Sequence, residues 1–103
     1  MDIFEIHLMQ HPWNGCDDPR PWLIVDFPDS DNVIGCFPIS SECYSGNCFY
    51  VAETHQDFAA TGLDHSSNIT DTHIIGVPGN SVIKFVGELN GDLLREFRAY
   101  SGL

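Results

Sequence analysis

A chain of 103 residues holds enough sequence for one core and too little for two, and 43% hydrophobic against 18% charged residues is a folded balance rather than a disordered one. Fifteen carboxylates against four cationic side chains give a formal charge of −11, which opposes non-specific attraction to phosphate backbones and confines any nucleic-acid site to a local patch. The apolar runs fall far short of the roughly 18 residues that a membrane-spanning helix needs.

The first residues, Met1-Asp2-Ile3-Phe4-Glu5, carry acids where a secretory signal has a basic segment followed by an apolar one, so a cytoplasmic location is expected. In that setting the four cysteines, Cys16, Cys36, Cys43 and Cys48, are expected as reduced thiols rather than a disulfide framework. Zinc is the rival explanation: Cys43 and Cys48 are closely spaced, but no second tight pair and no paired Cys/His motif follows, and no metal is expected.

Ile3 to Met9 alternates, with Phe4, Ile6 and Leu8 on one face and Ile3, Glu5, His7 and Met9 on the other, and predicts a half-buried first strand. Gln10 to Pro19 is rich in proline, glycine, asparagine and aspartate and reads as a surface loop carrying His11, Trp13 and Asp17. Loops on a rigid scaffold often hold binding residues, and Trp13 either covers a ligand or lids the core. Next comes Arg20-Pro21-Trp22-Leu23-Ile24-Val25-Asp26, a continuous apolar run with the composition of a strand buried on both faces. An arginine at the mouth of such a strand, in a chain this poor in cations, is a candidate functional charge.

Pro28 to Asn32 predicts a turn, and so a hairpin to a third strand, Val33 to Phe37, which Pro38 restricts to an edge or an end. A polar loop from Ser41 to Asn47 leads to Cys48–Ala52, a fourth strand of β-branched and aromatic character. Residues 53–70 are expected as mostly loop, with a short helical turn near Asp57–Leu63 that Gly62 ends. Asp71 to Val77 and Ser81 to Leu89 read as strands joined into a hairpin by Pro78-Gly79-Asn80. Asn90 is a favoured helix cap, Leu93, Leu94, Phe97 and Tyr100 recur at helical spacing, and Gly102 is placed to stop the helix. Five or six short strands with one terminal helix describe a mainly β protein, a small and strongly curved barrel.

Three segments, in this order, resemble the MazF/PemK family of toxin ribonucleases. They are Arg20-Pro21-Trp22-Leu23-Ile24-Val25; Ile34-Gly35-Cys36-Phe37-Pro38-Ile39-Ser40-Ser41; and Thr61-Gly62-Leu63 leading to Asp71-Thr72-His73-Ile74-Ile75, then Val86-Gly87-Glu88-Leu89 and the final helix. The resemblance covers nearly all of residues 1–103 and implies a single SH3-like β-barrel domain with a C-terminal helix. It further implies a cytoplasmic toxin of a toxin–antitoxin module, cleaving single-stranded RNA sequence-specifically without metal or other cofactor. A cognate antitoxin and a homodimeric partner copy come with it.

The resemblance puts Arg20 and Ser40 in the two catalytic positions, with Trp13, Asp17, Phe27 and Ser41 as substrate contacts. Arg20 would stabilise the phosphorane formed when the ribose 2′-hydroxyl attacks phosphate, and Ser40 would hydrogen-bond the phosphate or that hydroxyl. Trp13 and Phe27 would offer faces for splayed bases. The residues alone leave a structural reading open, in which Arg20 pairs with a carboxylate and Ser40 caps its strand. A different class of function is open too: a barrel that kept the fold and lost the chemistry, working as an acidic protein-binding module or a polyanion mimic. For the dimer, the strand after Arg20 and the run Cys36 to Ile39 are the expected contact surfaces, being more apolar than a solvated edge.

Overall fold

A computed structural model of the chain describes residues 2–10, 19–27, 33–43, 47–70 and 74–103. Their extended segments pair antiparallel into a seven-stranded sheet: β1 (Glu5–Met9), β2 (Arg20–Asp26), β3 (Val33–Ser40), β4 (Cys48–Val51), β5 (Ser67–Thr70), β6 (Ile75–Pro78) and β7 (Val82–Glu88). A single helical turn α1 (Phe58–Thr61) and the C-terminal α2 (Gly91–Ser101) complete it. The strand order is β4-β5-β3-β2-β1-β7, with β6 beside the first half of β3. The fold is mainly β with a terminal helix, as expected, and its hydrogen bonding stays open between β4 and β7.

Strands β2 and β3 lie in the middle because both of their faces are apolar. Leu23, Val25, Phe37 and Ile39 enter a core shared with Ile6, Val51, Ile69, Leu89, Leu93 and Phe97. Trp22, Ile24, Ile34 and Cys36 face the other way, into a smaller cluster with Met9 and Val77. The hairpin between them forms in the expected place, pairing Trp22 with Pro38 and Leu23 with Phe37. Since these side chains are spent on the protein's own cores, the surfaces expected to dimerise are not on offer to a second copy.

β1 departs from its half-buried expectation: Ile6 belongs to the first core and Met9 to the second. Even His7 is only 6% exposed. Its Nε2 donates to Glu5 Oε1 at 2.8 Å and its ring meets Phe85 edge-on. That hydrogen bond, foremost, holds the Glu5 carboxyl below its ordinary 4.5. Its contribution to stability is therefore present above pH 4.5 and fades as the pH falls through the lower folded value.

Three further expectations are corrected. Residues 67–70 are a strand, β5, anchored by the single apolar residue Ile69, which pairs with Ile39 on one side and Phe49 on the other. Pro38 lies inside β3 rather than at its end; it falls at the break where β3 exchanges β6, along Val33 to Cys36, for β5, along Ile39 and Ser40. A residue without a donor is tolerated where a ladder is interrupted. Finally, β6 and β7 form no hairpin: β6 pairs with β3 and β7 with β1. Pro78 closes β6, and the 3-10 turn Gly79–Ser81 sends the chain to the far edge of the sheet.

The cysteines are also corrected in part. Cys43 and Cys48 form a disulfide across the β3–β4 loop, their Cα atoms 6.0 Å apart and so within ordinary bridging distance. Cys36 is a free thiol that burial pushes up to about 12, and Cys16 lies outside the described residues.

Helix α2 runs from Asn90 to the left-handed Gly102 as its sequence predicts, and Phe97 meets the rings of Phe4, Phe37 and Phe49 edge-on. Its first turn is capped from outside. Asn90 makes no side-chain cap, and Asp57 Oδ2 instead accepts the N–H groups of Asp92 (2.9 Å) and Leu93 (3.2 Å). The α1 turn rests backbone on backbone against β7: a Cβ at Gly87 would overlap the Thr61 carbonyl. Gly87→Ala is expected to cost at least about 2 kcal/mol. A thermal melt should show this as a midpoint lowered by roughly 8–16 °C. An unchanged midpoint would mean that α1 moves aside freely.

Candidate active site

The β2–β3 register decides what stands at the end of the ladder. Trp22 is level with Pro38, and past that pair β2 reaches back to Arg20 while β3 runs on to Ser40. Beyond that point the strands leave the core, and polar side chains reach water.

Arg20, Pro21, Ile39, Ser40 and Ser41 line a cleft of about 170 Å³ there. Leu63, Asp64 and His65, from the loop after α1, and Ser67 of β5 line it as well. Thr61 sets that loop, its Oγ1 donating to Phe58 O (2.6 Å) and accepting from Leu63 N–H (3.2 Å), while Gly62 turns the chain in the left-handed region. Glu53 and Ser66 clamp it: Glu53 N–H donates to Ser66 Oγ at 2.8 Å and Ser66 N–H to Glu53 Oε2 at 3.3 Å.

Arg20 is exposed and makes no ion pair among the described residues, so the carboxylate-partner reading finds no support there. The other arginines are committed elsewhere. Arg95 pairs with Asp92 at 2.7 Å, and Arg98 donates to Leu103 O at 2.9 Å with its guanidinium over the Phe4 ring. Ser40 does serve its strand end, since its hydroxyl donates to Glu42 O (2.6 Å) and accepts from Glu42 N–H (3.0 Å). One lone pair of Oγ is left for a ligand. Ser41 lines the cleft while its carbonyl accepts from Asn68 Nδ2 at 3.3 Å, tying β3 to β5.

Of the residues expected to contact substrate, Ser41 joins Arg20 and Ser40. Phe27 does not: it is 42% exposed beyond the other end of β2. At about 3.3 Å per residue that is on the order of 20 Å from Arg20. Trp13 and Asp17 lie outside the described residues. Asp64 and His65 were not anticipated, because their segment reads as loop; the available signal was a carboxylate next to an imidazole just after Thr61-Gly62-Leu63. Among the described residues no cluster of His, Cys, Asp and Glu is arranged to hold a metal, and no helix is long and apolar enough to cross a membrane.

No family model and no curated protein sequence matches the chain. Among solved structures it is similar to Mycobacterium tuberculosis toxin MazF-mt6, with a TM-score of 0.69 and 18% identity over 95% of this chain and 92% of that one. The chain has a MazF-like fold. At that identity the likeness concerns the backbone path, and the chemistry of a site on a MazF-like fold has to be argued from its own side chains.

The Ser40 hydroxyl gives the first handle on this end of the MazF-like sheet. Ser40→Ala removes both bonds to Glu42 and is expected to lower stability by about 0.5–1.5 kcal/mol in a urea titration. No change in the midpoint would show that the turn at Glu42 holds without the hydroxyl.

Proposed function

We propose that this chain is an endoribonuclease toxin of a toxin–antitoxin module, cleaving single-stranded RNA sequence-specifically and without metal in the cytoplasm. The observation that carries the reading is Arg20: in a MazF-like fold, a guanidinium with no ion pair among the described residues lines a cleft together with Ser40. A permanently charged fork suits phosphate, and it stabilises the extra negative charge of the phosphorane more than that of the ground state. Ser40, fixed by Glu42, has one acceptor lone pair left for a donor group on the RNA. Ser41 provides a further polar contact, and Trp13, Asp17 and Phe27 remain candidates for holding bases.

Labelled RNA incubated with the protein in EDTA should be cut at a limited set of sequences, and Arg20→Ala should lose at least about 100-fold of the rate. RNA left equally intact by both proteins, over a broad set of sequences, would end the enzyme reading. Expression in a bacterium should arrest growth, and a cognate antitoxin should relieve it.

A second reading draws on the engaged Ser40 hydroxyl and the charge of −11. It is an inactive barrel that binds a basic protein or mimics a polyanion, and it predicts harmless expression.

We further propose a homodimer. The outer strand β7 exposes Ile83 (54%) and Phe85 (53%), apolar surface on an open edge in place of the buried strands first expected. Light scattering at micromolar concentration should give twice the mass of one chain. One chain's mass, unchanged at raised salt, would exclude it.

A further inference from the structure

Proton transfer is the part of the chemistry that Arg20 and Ser40 leave unassigned. Arginine keeps its proton throughout the pH range in which proteins function, so it stabilises charge but does not act as a base. Serine is a weak base, and Ser40 is tied to the Glu42 backbone. Of the remaining side chains in the cleft, an imidazole is the one suited to accept and release a proton near neutrality.

His65 is placed for that task. Asp64 Oδ1 lies 2.7 Å from its Nδ1, and a carboxylate in that position holds the neutral ring with hydrogen on Nδ1 and the lone pair on Nε2. Nε2 has no protein partner among the described residues, and the side chain is 58% exposed in the cleft that Arg20 also lines. Its backbone is fixed: Ser67 Oγ donates to the His65 carbonyl at 3.0 Å, and the neighbouring Ser66 is clamped to Glu53. Among the described residues, the charged groups that share the cleft with the ring are Arg20 on β2 and Asp64 beside it, and Glu53 is bonded to the next residue, Ser66. A carboxylate orienting an imidazole whose far nitrogen is open is the arrangement of a general base with its positioning residue.

We propose that His65 is the general base of this cleft and that Asp64 positions it; the assignment rests on the ribonuclease reading above. Neutral His65 takes the ribose 2′-hydroxyl proton on Nε2 as the 2′-oxygen bonds to phosphorus. The bond from phosphorus to the 5′-oxygen breaks, and that oxygen takes a proton from water. The hydroxide left behind is neutralised by the imidazolium proton, which restores His65. The products are a 2′,3′-cyclic phosphate and a 5′-hydroxyl end, with no oxidant, metal or co-reactant required.

The test follows single-turnover cleavage of a labelled single-stranded RNA from pH 5 to 9 by wild type, His65→Gln, His65→Ala, Asp64→Asn and Arg20→Ala, with circular dichroism to check folding. His65→Gln should lower the rate constant 10²- to 10⁴-fold and abolish the acid limb of the profile, with RNA affinity within a few-fold of wild type. Added imidazole should restore part of the rate of His65→Ala, and Asp64→Asn should slow cleavage about tenfold while keeping the limb. If wild type cleaves and His65→Gln matches it in rate and profile, the assignment falls and the ribonuclease reading stands. A slower His65→Gln that keeps its acid limb, with no imidazole rescue of His65→Ala, equally overturns proton transfer by His65. A folded wild type that leaves all RNA intact overturns both.

Discussion

Strands β2 and β3 must be covered on both faces, and most of the structure is a response to that requirement. Leu23, Val25, Phe37 and Ile39 demand one cover, supplied largely by α2 through Leu93 and Phe97. Trp22, Ile24, Ile34 and Cys36 demand another, supplied by Met9 and Val77. The same requirement locates the cleft. Interior positions of the ladder are committed to packing, so a guanidinium and a hydroxyl can sit on it only where burial ends, at Arg20 and Ser40. Loop 62–67 then reaches that end because Gly62 and Gly87 let α1 lie directly against β7.

Electrostatics within the cleft is local. Screening over about 8 Å at physiological salt leaves distant carboxylates weakly coupled to a phosphate held at Arg20. Among the described residues that line the cleft, the charged ones are Arg20 and Asp64, and Asp64 is engaged with His65. An overall acidic chain and a phosphate-binding cleft are therefore compatible, at the expense of the long-range steering that a basic surface provides.

Much of this was legible in the sequence wherever periodicity and composition speak strongly. The run Trp22–Val25 announces two-sided burial, and the spacing of Leu93, Leu94 and Phe97 announces α2. Strand β5 was hidden because Ser67-Asn68-Ile69-Thr70 offers one apolar side chain, and its strand character comes from the neighbours that accept it. The partners of β6 and β7 were hidden for a related reason: adjacency in sequence argued for a hairpin, whereas the route taken after Pro78 is set by which edges are unfilled. Asp57 capping α2 and Asp64 facing His65 are contacts of geometry, invisible to spacing rules in one case and overlooked in the other. That Arg20 and Ser40 belong together could be anticipated from resemblance, but that they share a cleft with His65 needed the fold.

The two edges of β1 are filled at different times in synthesis. Its pairing with β2 joins segments made close together, while its pairing with β7 joins Glu5 to Glu88. Contacts this distant in sequence are the slow ones in folding, and on a ribosome they wait for the last strand to emerge. The nascent chain therefore keeps β1 as a bare edge, and α1 without the strand it rests on, until β7 has been made. The loop bearing Asp64 and His65 gains its support at the same moment, so the cleft is assembled when β7 arrives and not before.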